Sequence, residues 1–330
     1  MSGKSESLVN MAMVARFAGV SRATVSNVLN YPDRVKPDTR SAVQSAIDRL
    51  GFVRNGVARR LAAGQANSIG IIVSGFDHSY SSEIITSAQD LALSEGMHVV
   101  ITCSNHDAGL QDRHLQYFHE EGVASIILVP MPNSDDSIKR ALSRGTELVL
   151  IDYDGAPLSC PSVRIDNVET GRIAARHLLS SGKRKLHFVG PDGERAVVRD
   201  RFSGVSQAAK GLAQVTHSTV QGLSQIAAGA SAAEIAKMAK DAEIDGVVAA
   251  TDIIGVEVIH ALRAAEISVP TQVSVIGCDS NAFAGNGSIG LTSVDLLSKS
   301  VGETAMKLAL GKLDIQPNML LTPRLVARAT

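Results

Sequence analysis

Hydrophobic and polar positions follow two different rhythms along this chain, and the change falls near residue 65. Before that point, apolar residues recur three and four positions apart, which is the spacing of helices with one buried face. Beyond it, short unbroken apolar runs such as 69–73 alternate with longer amphipathic stretches. An unbroken run of this length is typical of a strand buried on both faces, and repeated strand–helix units indicate a parallel sheet covered by helices.

The second part of the chain therefore predicts an α/β fold. We expect strands at 69–73, 98–102, 125–129, 148–151, 185–189, 216–220, 246–249 and 273–276. We expect the helices between them at 81–95, 110–121, 134–144, 168–181, 197–211, 230–240 and 252–265. These strands are too many for one compact sheet, so we predict two similar lobes, each with a doubly wound parallel sheet. Ligands bind such sheets at the carboxyl ends of the strands, where two facing lobes would form a cleft.

The first part of the chain predicts an all-α head of three short helices. The first helix carries Val14 and Phe17 on one face and ends at Gly19, which suits a tight turn. Ser21 is a favourable N-cap for the second helix. One buried stripe on that helix is formed by Val25, Val28 and Leu29. A third amphipathic helix completes a small bundle of the helix-turn-helix type.

The outward face of the second helix indicates that the chain reads DNA. Away from the buried stripe, this face offers an arginine, small side chains and an amide, from Arg22, Ala23, Ser26 and Asn27. Such groups suit the major groove, where they meet the edges of the bases. The alternative is an ordinary amphipathic helix pair without a nucleic-acid partner.

The charge distribution favours the DNA-binding interpretation. Residues 1–65 hold ten Lys and Arg against four Asp and Glu, a net charge of +6. The rest of the chain holds 22 basic and 29 acidic residues, a net charge of −7, so the overall charge of −1 hides the division. A basic head on an acidic body indicates that one domain alone binds phosphates.

A short linker joins the two parts. Residues 55–64 predict a capped helix of two turns at most, which ends at Gly64. An isolated helix this short is marginal in water, so we expect it to be ordered only when another surface holds it.

Composition and motifs argue against an enzyme, a secreted protein and a membrane protein. The chain has no run of about 18 apolar residues, and its N-terminus is polar, so we expect a cytoplasmic protein. The odd number of cysteines, Cys103, Cys160 and Cys278, indicates buried free thiols. His114 and His119 are five residues apart and do not share a helix face. We therefore expect no catalytic residue, no metal and no cofactor.

Polar residues follow several predicted strands, where each lobe would face the cleft. They include carboxylates, arginines and an aromatic residue: Asp77, His78, Tyr80, Asp152, Asp154, Asp192, Arg195, Arg201, Thr251, Asp252, Asp279, Ser280 and Asn281. This combination suits a hydroxyl-rich small molecule. The alternative is that polar residues follow the strands of any α/β protein without binding a ligand.

Taken in order, the motifs of the chain resemble those of the LacI/GalR family of transcription regulators. In the head, the resemblance is carried by residues 14–30, 33–35, 39–40, 50–52 and 55–61. In the body, it is carried by residues 68–73, 122–128, 165–167 with Gly171, 201–204, 269–279 and 291–294. Together they cover nearly the whole chain.

With this resemblance, the chain divides into a helix-turn-helix domain at 1–53, a hinge helix at 54–64 and an effector-binding and dimerisation core at 65–330. The core resembles periplasmic sugar-binding proteins. Its first lobe is expected at about 65–165 and 295–320, and its second lobe at about 166–294 and 321–330.

The resemblance implies a homodimer that binds a pseudo-palindromic operator. The candidate DNA-binding residues are Ser21, Arg22, Ala23, Thr24, Ser26, Asn27, Asn30, Asn55, Ala58, Arg59 and Leu61. It further implies that the hinge helix enters the minor groove and that Leu61 wedges between base pairs, which bends the duplex. Polar loops and resemblance together give the candidate effector-binding residues Asp77, Tyr80, Asp152, Arg195, Arg201, Thr251, Asp252 and Asp279.

We therefore expect a repressor of carbohydrate-related genes whose operator affinity is controlled by a sugar or sugar derivative between two lobes. Three alternatives stay open. The regulator could be co-repressed by a nucleobase-type or other metabolite, or the chain could be a cytoplasmic solute-binding protein. An enzyme on a doubly wound fold is the third, and the missing nucleophile, phosphate loop and metal set argue against it.

Overall fold

The computed structural model describes residues 9–52, 66–76, 79–153, 155, 158–191, 196–220, 225–281, 284, 289–313 and 318–330, with the backbone alone for 225–230. The chain divides into two compact units, Met1–Gln65 and Ala66–Thr330.

The first unit is a bundle of helices α1 (Met11–Phe17), α2 (Arg22–Asn30) and α3 (Pro37–Leu50), with a 3₁₀ turn at Pro32–Arg34. Its core is built from Val14, Ala15, Val25, Val28, Val43 and Ala46. Side chains define where the helices begin, because Asn10 and Ser21 accept hydrogen bonds from N–H groups in the first turns of α1 and α2. α3 ends at Gly51, which has a φ of 62°. The predicted all-α head is confirmed.

One side of α1 is less buried than its pattern suggests. Val14 is fully buried, whereas Phe17 is 53% exposed. Residues three apart on a helix are offset by about 60° around its axis, so Phe17 lies at the edge of the buried stripe.

The second unit contains two six-stranded sheets, and the first has the strand order β11–β5–β4–β3–β1–β2 with every pair parallel. Its strands are β1 (Ser68–Val73), β2 (His98–Cys103), β3 (Ser125–Leu128), β4 (Leu148–Ile151), β5 (Ser162–Ile165) and β11 (Asn318–Leu321). The helices packed on it are α4 (Ser79–Ser94), α5 (Ala108–Glu121), α6 (Asp135–Ser143) and α11 (Ser298–Ala309).

The second sheet has the order β12–β10–β9–β8–β6–β7 and is parallel except where β12 meets β10. Its strands are β6 (Lys185–Pro191), β7 (Gln214–Val220), β8 (Gly246–Ala249), β9 (Ser274–Asp279), β10 (Thr292–Asp295) and β12 (Arg324–Val326). The helices packed on it are α7 (Asn167–Ser180), α8 (Ala196–Ala209), α9 (Gln225–Lys240) and α10 (Asp252–Ala264). The predicted two-lobed α/β core is confirmed.

The eight strands and seven helices predicted from the pattern are all present, and most ends agree within two residues. Two ends differ more, because α9 begins at Gln225 and β9 continues to Asp279. The pattern does not predict β5, β10, β11 and β12. These strands are three or four residues long and mix polar with apolar residues, so they lack the unbroken apolar run on which the prediction depends.

The chain passes between the two lobes three times, after β5, after β10 and after β11. After β10, α11 returns to the first lobe and packs closely on α4. The approach is close because a Cβ on Gly302 would lie 2.4 Å from the carbonyl oxygen of Ile84. These passages bring the carboxyl ends of the strands of both lobes to one interlobe cavity.

Candidate functional sites

Helix α2 presents a polar face to solvent. Arg22, Ala23, Asn27 and Asn30 are exposed, and Thr24 and Ser26 are half-buried. Arg22 is the first residue of α2, and within the described part of the chain it has no hydrogen-bond or ion-pair partner. An arginine at the start of a recognition helix can reach the edge of a base in the major groove and donate two hydrogen bonds to it from its guanidinium group.

Other candidate DNA-binding residues bond to one another on the same surface. Ser21 Oγ accepts from the Thr24 N–H group at 3.0 Å and lies 2.9 Å from Thr24 Oγ1. Asn30 Nδ2 donates to Ser26 Oγ at 3.2 Å. These contacts hold two pairs of side chains together on this surface, Ser21 with Thr24 and Ser26 with Asn30. The candidate DNA-binding residues of the hinge lie outside the described residues: Asn55, Ala58, Arg59 and Leu61.

A cavity of about 400 Å³ lies between the two lobes of the second unit. Five of the candidate effector-binding residues line it: Tyr80, Asp152, Arg201, Thr251 and Asp279. Asp77 and Arg195 lie outside the described residues. The structure thus brings residues from five separate segments of the chain to one cavity.

Asp152 and Tyr80 form a half-buried pair on the first-lobe side. Tyr80 Oη donates to Asp152 Oδ2 at 2.8 Å, and the Ile165 N–H group donates to Asp152 Oδ1 at 3.3 Å. Burial raises the pKa of the Asp152 carboxyl above 3.8, and burial together with this carboxylate raises the pKa of Tyr80 well above 10.0. The Asp152 backbone has a φ of 53°, in the left-handed region. Residues whose backbone is held in such strained conformations cluster at ligand sites.

Arg201 is held on the second-lobe side and is 7% exposed. Its Nε donates to Asn167 Oδ1 at 2.9 Å, and one terminal nitrogen donates to the carbonyl oxygen of Ala250 at 2.5 Å. The same nitrogen lies 4.0 Å from Asp279 Oδ1. Protein atoms therefore accept hydrogen bonds from Nε and one terminal nitrogen of the guanidinium group, and Arg201 also lines the cavity.

Two glycines position Arg201 by letting α7 and α8 touch. A Cβ on Gly171 would lie 1.9 Å from the carbonyl oxygen of Arg201, and a Cβ on Gly204 would lie 1.9 Å from that of Val168. Each glycine therefore occupies a place in which any side chain would collide with the backbone of the facing helix.

Asp279 ends β9 beside Arg201, in a strained conformation with a φ of 124°. Burial raises the pKa of its carboxyl to about 7, although the Arg201 guanidinium acts in the opposite direction. A carboxylate and a guanidinium side by side can bind neighbouring hydroxyl groups through charge-assisted hydrogen bonds.

Asp252 does not line the cavity, unlike the other described candidates. It is fully buried, and its two oxygens accept from Ser293 Oγ at 2.6 Å and from the Asn281 N–H group at 3.0 Å. Burial and the neighbouring Asp279 raise the pKa of its carboxyl well above 3.8. Both oxygens of Asp252 are thus occupied, one by the segment after β9 and the other by a hydroxyl group on β10.

Sequence reasoning missed the apolar side of the cavity. The first lobe contributes a wall segment, residues 129–134, and the second lobe contributes Val197 and Val198. The wall segment follows β3 at its carboxyl end, which is the position used to find the polar candidates. Because Val, Pro and Met carry no binding chemistry of their own, only a search of every loop after a strand could have found them.

The described part of the chain contains neither a bilayer-crossing helix nor a metal-binding cluster. None of its helices is long and apolar enough to span a membrane, and none of its groups of three or more His, Cys, Asp or Glu could hold a metal ion. All three cysteines are free, as predicted. Cys160 and Cys278 are buried, whereas Cys103 is half-buried.

Comparison with known families gives a match in each unit. Residues 10–55 match the family described as bacterial regulatory proteins, lacI family. Residues 175–330 match the periplasmic binding protein-like domain.

Individual relatives extend over nearly the full chain. The transcriptional regulator CelR of Thermobifida fusca is 28% identical over 92% of this chain and 91% of its own. The regulator RegA of Clostridium saccharobutylicum is 28% identical over 96% and 97%. A solved CelR–cellobiose complex has a TM-score of 0.68 at 26% identity and covers 97% of this chain and 99% of its own. The Lac repressor bound to ONPG shares the fold, with a TM-score of 0.84 at 22% identity over 98% of this chain and 99% of its own.

Proposed function

We propose that this DNA-binding transcriptional regulator, which matches the lacI family of bacterial regulatory proteins at residues 10–55, represses carbohydrate-related genes from the cytoplasm. A sugar or sugar derivative in the interlobe cavity would control its affinity for operator DNA.

The proposed operator is pseudo-palindromic and is bound by a homodimer. Two copies of α2 would each read one half-site, with Arg22, Ala23 and Asn27 towards the bases. The hinge residues 54–64 would order on the operator, and Leu61 would enter the minor groove. Exposure of the polar side of α2 and the basic charge of residues 1–65 support this assignment.

The observation that carries the effector proposal is the pairing of Arg201 with Asp279 at the edge of the interlobe cavity. The opposite side of the cavity presents Asp152, so hydroxyl groups at both ends of a sugar would find charged partners. A ligand that touches both lobes would bind a closed arrangement better than an open one, and only such a difference can shift the equilibrium between them.

A thermal-shift screen of the full chain tests the effector proposal. Cellobiose, ribose, other sugars, sugar phosphates and nucleobases would be compared, and we expect a sugar to raise the unfolding midpoint of the second unit. Asp279→Asn and Asp152→Asn should remove that rise. Asp112→Asn should keep it, because Asp112 pairs with Arg140 on the surface of the first lobe. Stabilisation by a nucleobase instead of a sugar would overturn the proposed effector class.

A mobility-shift assay tests the sign of control. We expect the stabilising sugar to weaken binding to the operator. A sugar or metabolite that strengthens binding would make the protein a co-repressed regulator and would contradict the proposal.

A further inference from the structure

At the start of the wall segment, the Val129 N–H group donates to the carbonyl oxygen of Ile72 at 2.9 Å, but the residues that follow offer few backbone donors. Pro130 and Pro132 have no N–H group, and Asn133 has a φ of 60°. The N–H group of Met131 bonds instead to a side chain, because it donates to Gln111 Oε1 at 2.7 Å. A segment of this composition therefore depends on a partner outside itself.

Gln111 supplies that partner from α5. Its Nε2 donates to Ser134 Oγ at 2.9 Å and to Ser137 Oγ at 3.4 Å. Ser134 Oγ in turn donates to the carbonyl oxygen of Met131 at 2.6 Å. One amide thus ties Met131 and Ser134 of the wall segment into a hydrogen-bonded ring. Ser134 stands at the N-cap of α6 but makes no capping bond with its side chain, since its hydroxyl serves the ring.

Packing of the core does not by itself explain why residue 111 is a glutamine. Gln111 is fully buried, and Leu115 and Phe118 occupy the next buried positions of α5. A buried amide is unfavourable unless its partners satisfy it, whereas an apolar residue of similar length would need none. Its orientation also leaves neither N–H free for a ligand, because Ser134 and Ser137 take both.

We propose that Gln111 is a positioning residue for effector binding: it fixes Met131, Pro132 and Asn133 in the shape against which the effector packs. This inference rests on the proposed function, because it concerns the same cavity. It assigns specificity to a residue that does not itself touch the ligand.

The test compares Gln111→Met with Gln116→Met in the full chain. Methionine keeps the length of the side chain and removes its hydrogen bonds. Gln116 is a matched control because it lies on the same helix, is exposed and bonds to Glu120 Oε1 at 2.8 Å. Calorimetry would use the two sugars that most stabilise the unsubstituted protein. We expect Gln111→Met to bind the better sugar about tenfold more weakly and to narrow the ratio between the two affinities. We expect Gln116→Met to change neither.

Affinity for the operator in the absence of sugar distinguishes a local effect on the cavity from a general loss of folded structure. We expect this affinity to be unchanged in both Gln111→Met and Gln116→Met. Ser134→Ala opens the same ring with a smaller change of volume and must weaken sugar binding in the same direction. An unchanged affinity and an unchanged ratio in Gln111→Met and Ser134→Ala would overturn the inference.

Amide exchange over residues 129–134 provides a readout that needs no ligand. We expect the Met131, Asn133 and Ser134 amides to exchange at least about tenfold faster in Gln111→Met. Unchanged exchange would show that Gln111 does not hold the wall segment. If no sugar binds the unsubstituted protein, the proposed function is wrong, whereas the exchange measurement still decides whether Gln111 holds the segment.

Discussion

Gly204→Ala tests how the helix crossing positions Arg201. The substitution adds a single methyl group at the point where α8 touches α7. A Cβ there would lie 1.9 Å from the Val168 carbonyl oxygen, while ordinary contact begins near 3.4 Å. The two helices must therefore separate by roughly 1.5 Å, and Arg201, one turn earlier on α8, must move with them.

The expected loss follows from two effects. Overpacking between well-packed elements costs about 1–3 kcal/mol. Displacement of α8 also strains the bonds from Arg201 to Asn167 and Ala250, and hydrogen bonds from charged groups contribute about 1.5–3 kcal/mol each. We expect a total of about 4 kcal/mol, which lowers the unfolding midpoint of the second unit by about 10 °C. We also expect weaker sugar binding.

Differential scanning calorimetry with and without the sugar provides the assay. Gly109→Ala is the matched control, because a Cβ there would meet side-chain atoms only, Asp107 Oδ1 at 3.2 Å and an Arg113 nitrogen at 3.7 Å, and no backbone of a facing helix. This control should keep or slightly raise stability, since alanine favours helix formation over glycine. An unchanged midpoint and unchanged sugar affinity in Gly204→Ala would show that the crossing of α7 and α8 does not position Arg201.

Three further predictions concern DNA, pH and the hinge. Arg22→Ala should cost about 1–3 kcal/mol of specific binding and relax the preference at one base pair per half-site; an equal loss on random DNA would make Arg22 a phosphate contact. Because the pKa of Asp279 is about 7 when folded and 3.8 when unfolded, its stabilising contribution is present below about pH 4 and is lost as the pH rises to about 7. Unfolding midpoints should therefore fall over that interval and fall less in Asp279→Asn, and equal slopes would contradict this origin. Amides of residues 56–63 should exchange fast in the free protein and slowly on the operator, so equal protection in both states would exclude coupled ordering.

Sequence patterns were sufficient for the framework of this fold. Runs such as 69–73 predict strands because a parallel sheet covered on both sides leaves no polar positions. Ser21 and Gly19 mark helix ends, because Ser21 accepts a hydrogen bond from the first turn of α2 and Gly19 adopts a φ of 66° after α1. The location of Tyr80, Asp152 and Asp279 near the carboxyl ends of strands was also sufficient to predict that they line one cavity.

Other features depend on contacts between distant segments, which no local pattern records. Gln111 and Met131 are 20 residues apart, and nothing near Gln111 in sequence indicates that its amide ends beneath the wall segment. Asp252 follows a strand just as Asp152 does, yet the Asn281 N–H group and the Ser293 hydroxyl on β10 occupy its two oxygens. The distinction between a residue that lines a cavity and one that supports its wall appears only when the lobes are assembled.

Titration of the sugar in the presence and absence of operator DNA decides whether the interlobe cavity controls operator binding. If the sugar controls operator affinity, linkage requires the operator to weaken sugar binding by the factor by which the sugar weakens operator binding, typically about 5–150-fold. We expect the two factors to agree. Equal sugar affinity with and without operator would contradict control by that ligand, and tighter sugar binding on the operator would reverse its sign.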